Sequence, residues 1–333
     1  MSQNGFDADP ISNKLLAYLR NELKNPDIEF RSPLVRLEGG YETAIYRFSL
    51  DGAGDTLPQS LVLRLYPQSH GTQNAVWESA IQNALFAEGY PAAKVHFACT
   101  DLSRLGGSFL IMDYIPGQPL IFADREIVPG LTGKTHAELH QIDPAPLIRS
   151  LKEHGFDPYA YSSDARFDWL KYMAEKLPWV REGVNWLLDH RPPEPRRLSV
   201  CHGDFHPLNI MIKNGAVTGV LDWAGFVITD PVYDIANTIV LTTIPVKAIS
   251  ASWEGFSSVD WELAAELYCA AYQAHKALDR TNLDYYRVRR CLQALIEGYE
   301  GQKVWQHPMI IRDLMDFIQK VTGVQVAPPA PAN

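Results

Sequence analysis

The chain has 333 residues and a formal charge of −9, from 30 basic and 39 acidic side chains. That length allows one large or two medium lobes, and an apolar share of 46% is ordinary for a globular protein. With no basic patch in the sequence, the acidic balance argues against nucleic acid or an anionic membrane as a partner. Cys99, Cys201, Cys269 and Cys291 show no metal-type spacing and suit a reducing, cytoplasmic setting. The N-terminus is polar and acidic, without a signal pattern, and no apolar run approaches membrane-spanning length.

Residues 1–9 read as a loose arm, and Leu15, Leu16, Leu19 and Leu23 predict a helix over 10–23 with Ser12 as a possible cap. Leu34 to Leu50 reads as strand, Gly39–Gly40 turn, strand. A glycine pair lets backbone N–H groups approach phosphate oxygens with no Cβ in the way, although most such turns are plain hairpins. Ser60 to Tyr66 alternates, with Leu61, Leu63 and Leu65 on one face and Val62, Arg64 and Tyr66 on the other. Val76, Trp77, Ala80, Ile81, Ala84 and Leu85 make a helical stripe over 74–88, closed by Gly89 and Pro91. Ser108 to Gly117 is a buried strand running into a turn, and a helix over 131–142 carries His140 as a packing or capping residue. Residues 143–165 read as turn-rich, 167–190 as one or two helices, and Arg191-Pro-Pro-Glu-Pro as a linker.

The stretch from Ser199 to Asp222 carries the chemistry. Asp204 follows His202 and Gly203, Asn209 comes five residues later, and the apolar run after it reads as a short strand. Asn214–Gly215 is a two-residue hairpin signal, and the returning strand over 217–221 delivers Asp222. Such a hairpin is expected to bring Asn209 and Asp222 together with Asp204 at its mouth, the oxygen ligands and carboxylate that a magnesium-bound triphosphate needs. A zinc pair of His202 and His206 is the competing reading. Gly203 and Pro207 oppose the helix it requires, and no Glu follows His202. Downstream, Asp230 and Pro231 open a helix. Helices are also expected over 260–278, 283–299 and 309–321, before a Pro-rich tail.

The pattern His-Gly-Asp-x-His-x-x-Asn, followed by Asp-Trp and then Asp230-Pro-Val-Tyr-Asp234-Ile-Ala, resembles the aminoglycoside phosphotransferase-like family, small-molecule kinases of the protein-kinase-like fold. The resemblance spans roughly residues 30–300. It implies an α+β, two-lobed fold: an antiparallel sheet lobe over 1–116, a mainly helical catalytic and acceptor lobe over 117–325, and a flexible tail over 326–333. It implies ATP (or GTP) and Mg2+ as cofactors, and transfer of the γ-phosphoryl group to a hydroxyl of a small molecule, an aminoglycoside-type antibiotic or a hydroxylated metabolite. Asp204 is then the base and His206 a group near the transferred charge, with Asn209 and Asp222 on the metal. Gly39, Gly40 and Thr43 would cover the nucleotide, Asp113 and Ile115 would read adenine with their backbone, and Asp234 would buttress the catalytic loop. Arg64 stands where kinases place a lysine, and Glu78 would hold it to the phosphates. The alternative is a catalytically weak kinase-fold binding or regulatory protein. Arg64 and the thin glycine loop favour it; the intact Asp204, Asn209 and Asp222 oppose it.

Overall fold

The computed structural model describes all residues except 1–7, 38–42, 55–56, 194, 196, 251–252, 254–255, 257 and 330–333. Gly39 and Gly40 therefore lie outside the described residues. In chain order the elements are α1 (Ala8–Glu22), β1 (Glu29–Arg36), β2 (Ala44–Asp51), β3 (Leu61–Leu65), α2 (Gln73–Ala87), β4 (Val95–Cys99), α3 (Leu102–Leu105) and β5 (Phe109–Asp113). There follow β6 (Gln118–Pro119), α4 (Val128–Gln141), α5 (Pro144–Glu153), α6 (Ser163–Lys176), α7 (Arg181–Asp189), β7 (Ser199–Cys201), β8 (Ile210–Lys213) and β9 (Ala216–Val220). The last are β10 (Val227–Thr229), α8 (Pro231–Thr243), α9 (Pro245–Ile249), α10 (Trp261–Gln273), α11 (Leu283–Tyr299) and α12 (Pro308–Thr322).

The chain divides into two compact units, the first made of 1–117, 146–156 and 213–224 and the second of the remaining residues. Residues 146–156 and 213–224 group with 1–117 in the first unit. Both segments are bonded into that unit: Ser150 donates to the Ala80 carbonyl at 3.1 Å, and the Val220 N–H donates to the Pro91 carbonyl at 2.7 Å. Residues 143–165, expected to be turns, contain α5; Asp143 accepts from the Ala145 N–H at 3.0 Å, and Leu147 and Leu151 are buried one turn apart.

In the first unit an antiparallel sheet runs in the order β1-β2-β3-β5-β4. The alternation of β3 sorts its two faces. Leu61, Leu63 and Leu65 join Leu15, Leu19, Phe48 and Phe109 under α1, while Tyr66 packs with Ala75 of α2, Val95 and Leu110 on the other side. Arg64, opposite Ile45 and Leu110 in register, is thereby on the α2 side. Asn83 of α2 fastens β4 by donating to the Val95 carbonyl at 3.0 Å and accepting its N–H at 2.8 Å.

The second unit is mainly helical. Its largest core joins α6, α7, α8, α11 and α12, and Val326, at the start of the expected tail, is buried in it. Residues 231–249 are long and apolar enough to cross a membrane by length and composition, which corrects the expectation that no apolar run approaches that length. About 72% of it is buried in the protein, as for a core helix. Cys201 lies in β7, which pairs antiparallel with β10, and is fully buried like an apolar residue. Helices α4 and α10 approach closely at Gly133, where an added Cβ would lie 2.5 Å from the Tyr268 carbonyl and 2.6 Å from the Tyr272 nitrogen. Gly133→Ala is expected to force α4 and α10 apart and cost about 1–3 kcal/mol in urea unfolding. An unchanged midpoint would show that the helices yield freely.

Candidate active site

The loop after β7 is shaped by its backbone. Gly203 has φ 82°, and a Cβ there would sit 2.1 Å from the Gly225 carbonyl, so only glycine fits this turn. The N–H groups of His202 and Gly203 both donate to Asp234, at 2.6 and 2.8 Å, and Asn237 donates to the Gly203 carbonyl at 3.1 Å. The turn then presents Asp204, whose own N–H donates to His202 Nδ1 at 3.2 Å. Asn209 closes the loop through its Nδ2, which donates to the Asp204 carbonyl at 3.0 Å and to its carboxylate at 3.3 Å. The Asn209 Oδ1 is then the atom that could ligate a metal. His206 Nε2 lies 3.4 Å from the Asp204 carboxylate, which is 40% exposed. Burial pushes the Asp204 pKa up, but His206, His202 and Arg290 outweigh it and hold the group below the ordinary carboxylate range. Asp204, His206 and Asn209 are thus brought together within the second unit.

Behind the loop stands a buried polar cluster. His136 and His140, one turn apart on α4, contact the Asp234 carboxylate at 2.9 and 3.3 Å. Their other ring nitrogens meet the hydroxyls of Tyr268 and Tyr272 on α10 at 2.7 and 2.9 Å, and Phe205 stacks on His136 at 4.0 Å. Burial, with His136 alongside, pulls His140 down to about 3, so it is neutral. Burial works against Asp234's charge, but the two histidines prevail and keep it well below the ordinary range. The ligating atoms of His136, His140 and Asp234 lie within 4.8 Å of one another, a set that could hold a cation. Hydrogen bonds already engage each of them, which favours a scaffold that fixes the His202–Gly203 turn. Asp234→Ala would leave two buried amides and two imidazoles without an acceptor. We expect a loss of about 3 kcal/mol or more in urea unfolding, with Asp234→Asn losing less because one oxygen remains. Equal losses for the two variants would mean that the carboxylate is not what holds the turn.

The first unit carries the other half of the sequence-predicted residues. Arg64 Nη1 pairs with Glu78 at 2.9 Å and Nη2 with Asp222 at 3.1 Å. Glu78 is buried on α2 (2% exposed), whereas Asp222 is 45% exposed and takes φ 65°. Burial pushes the Glu78 carboxyl up to about 7 against the pull of Arg64. Burial also opposes the charge on Arg64, but Glu78 and Asp222 more than offset it, so the guanidinium stays charged. The Asp113 side chain meets His96 at 2.7 Å, and its N–H donates to the Lys94 carbonyl at 2.9 Å. Ile115 lies against Gly219, and Thr43 is buried just before β2. Asn214 and Gly215 both take positive φ, 53° and 77°, as the hairpin signal required.

These arrangements can be set against known proteins. Residues 33–283 match the family described as "Phosphotransferase enzyme family". The chain belongs to that family. This phosphotransferase-family chain is 26% identical over 322 residues to acyl-CoA dehydrogenase family member 11 of Homo sapiens, covering 89% of the chain and 38% of that protein. It thus spans well under half the length of that relative. It is also 30% identical over 116 residues to an aminoglycoside 3'-phosphotransferase of Streptomyces fradiae, covering 34% of the chain and 39% of that protein. In fold it is similar to an aminoglycoside phosphotransferase, APH(4)-Ia, solved with ADP and hygromycin B. That match has a TM-score of 0.60 at 16% identity and covers 93% of this chain and 100% of the other. A macrolide 2'-phosphotransferase from Brachybacterium faecium matches with TM-score 0.57 at 16% identity, covering 92% and 98%. The α+β kinase-like fold expected from the motif is the fold of this phosphotransferase-family chain.

Two features of the family member escaped the sequence reading. The Arg64–Asp222 pair joins residues 158 positions apart, and spacing carries no signal for it. His136 was not singled out, although His136-x-x-x-His140 on a helix places two imidazoles on one face.

Proposed function

We propose that the protein is a phosphotransferase that moves the γ-phosphoryl group of ATP to a hydroxyl of a small molecule. The observation that carries this reading is the ionised, half-exposed Asp204, fixed at the tip of a glycine turn with Asn209 and His206 bonded to it. In the step, the acceptor oxygen bonds to the γ-phosphorus, the bridge to ADP breaks, and the hydroxyl proton passes to the Asp204 carboxylate. His206, beside that carboxylate, would steady the transferred charge. Arg64, oriented by Glu78, would pair with the inner phosphates. Gly39, Gly40 and Thr43 remain our proposed phosphate cover. Because the Asp113 N–H is held by Lys94, an adenine read there would use the Asp113 carbonyl together with the Ile115 N–H.

Magnesium is the metal we propose for Asn209 and Asp222. Asn209 Oδ1 and the Asp222 carboxylate are hard oxygen donors, and a hard cation takes few protein ligands beside phosphate oxygens. When bound, it would neutralise phosphate charge. Asp222→Ala is expected to abolish the magnesium dependence of nucleotide binding, measured by titrating ATP with and without the metal. Unchanged dependence would take Asp222 out of the site.

The acceptor is proposed only as a hydroxylated small molecule, with no nucleic acid and no membrane involved, and the reducing cytoplasm as the compartment. The reading is tested by an ADP-release screen with hygromycin B, a macrolide and hydroxyacyl-CoA thioesters, the last because the human relative is named an acyl-CoA dehydrogenase. No release with any hydroxylated acceptor, in protein that still binds ATP, would favour the kinase-fold binding protein instead.

A further inference from the structure

Beside the reaction loop, the second unit leaves aromatic surface facing water. The Ile121 N–H donates to the carbonyl of Pro207 at 3.1 Å, and Pro207 lies between Asp204 and Asn209. The next residue, Phe122, is 48% exposed. Its ring meets Trp253 at 5.2 Å and Phe256 at 6.5 Å. Trp253 meets Phe256 at 5.2 Å, and Phe256 stacks on Trp261 at 6.1 Å with a 15° tilt. Trp253, Phe256 and Trp261 are all only half-buried. Exposed aromatic faces grouped at a site are where binding energy is stored.

The charges around the cluster limit what it takes. Arg125 lies over Phe256, 5.4 Å from the ring centre. A polycation would need carboxylates, and three of those near the cluster among the described residues already have partners. Asp124 accepts from the Glu126 N–H at 3.2 Å, Asp260 caps α10 through the Leu263 N–H at 3.0 Å, and Glu262 pairs with Lys247 at 3.2 Å. Among the described residues Glu126 is a further acidic neighbour, set against Arg125 beside it, and Glu254, between Trp253 and Phe256 in sequence, lies outside the described residues.

We propose that Phe122, Trp253 and Phe256 bind the apolar body of the acceptor, so that the substrate class is a hydroxyl group carried on an apolar chain or ring rather than a polycationic aminoglycoside. This rests on the phosphotransfer reading and adds to it where the acceptor lies: on the rings that begin one residue from the partner of Pro207. Only dispersion and dehydration are needed for this contact, and each scales with the apolar area covered.

The test uses 1,2-alkanediols of increasing chain length, read both by tryptophan fluorescence titration and by ADP release. Each added methylene that reaches the rings is expected to tighten Kd and lower KM about fourfold. Phe122→Ala should flatten both trends, acting on KM more than on kcat, and Phe122→Leu should restore part of the slope. A KM independent of chain length, a slope unchanged in Phe122→Ala, or hygromycin B as good an acceptor as the longest diol would overturn the proposal. A slope in binding without ADP release would support the aromatic site and sink the phosphotransfer reading; release without a slope would do the reverse.

Discussion

Asp204→Asn is expected to lower turnover by a factor of about 10²–10⁴, the contribution of a positioned general base, while nucleotide binding persists. Asparagine preserves the shape of the side chain, so the contacts of Asp204 with Asn209 and His206 can be kept. What is lost is the negative charge and the capacity to take the acceptor's proton. Phosphoryl transfer passes through a loose transition state, so that proton moves late and the loss should fall on kcat more than on KM. The charge state sets the pH behaviour. His206, His202 and Arg290 overcome burial and hold the Asp204 pKa below its ordinary value. The base form is therefore present throughout the neutral range, and activity lost through Asp204 on acidification begins only below the ordinary carboxylate pKa. Steady-state kinetics of the variant beside ATP titration decide the matter. Near-normal turnover would remove Asp204 as the base, and a matching loss of ATP binding would recast it as a metal or structural residue.

What the sequence made legible, it made legible locally. Leu61, Leu63 and Leu65 alternate with Val62, Arg64 and Tyr66, and a period of two suffices to sort them onto the two faces of β3. α11 was expected over 283–299 and is observed as Leu283–Tyr299, because its apolar repeat is dense and long. Asp204, His206 and Asn209 sit within one tight loop, where chain connectivity alone forces proximity. α5 was missed because only Leu147 and Leu151 mark its buried face and prolines crowd its start. Long-range pairings have no periodic trace. Nothing in the spacing joins Arg64 to Asp222, or His136 to Tyr268 across 132 positions. Nor could composition show that 146–156 and 213–224 pack with the sheet unit, since that rests on long-range contacts such as the one from Val220 to Pro91.

Arg64 and Glu78 should behave as one device, and the expected signature is non-additivity. Arg64→Ala removes the guanidinium proposed for the inner phosphates, so KM for ATP should rise about tenfold or more and kcat should fall. Glu78→Ala should do much the same by releasing Arg64 from its 2.9 Å tether, leaving the Asp222 carboxylate at 3.1 Å. The double variant should cost little more than either single change, with a coupling of about 1–3 kcal/mol. Arg64→Lys keeps the charge but cannot fork onto two carboxylates, so partial activity is expected. Stability adds an independent readout with a definite sign. Glu78 is buried, and its carboxyl already sits near 7 with Arg64 beside it. Without Arg64 the carboxyl is held still more firmly in its protonated form, above the value it has in the unfolded chain. A carboxyl whose pKa is raised on folding contributes stability at low pH and loses it as pH rises through the folded value. Arg64→Ala should therefore unfold at nearly wild-type urea concentration at pH 6 and progressively earlier than wild type above pH 7, because its buried Glu78 carboxyl stays protonated while the wild-type carboxyl ionises beside Arg64. Additive kinetic losses, or a stability deficit that does not grow with pH, would assign Arg64 and Glu78 to separate roles.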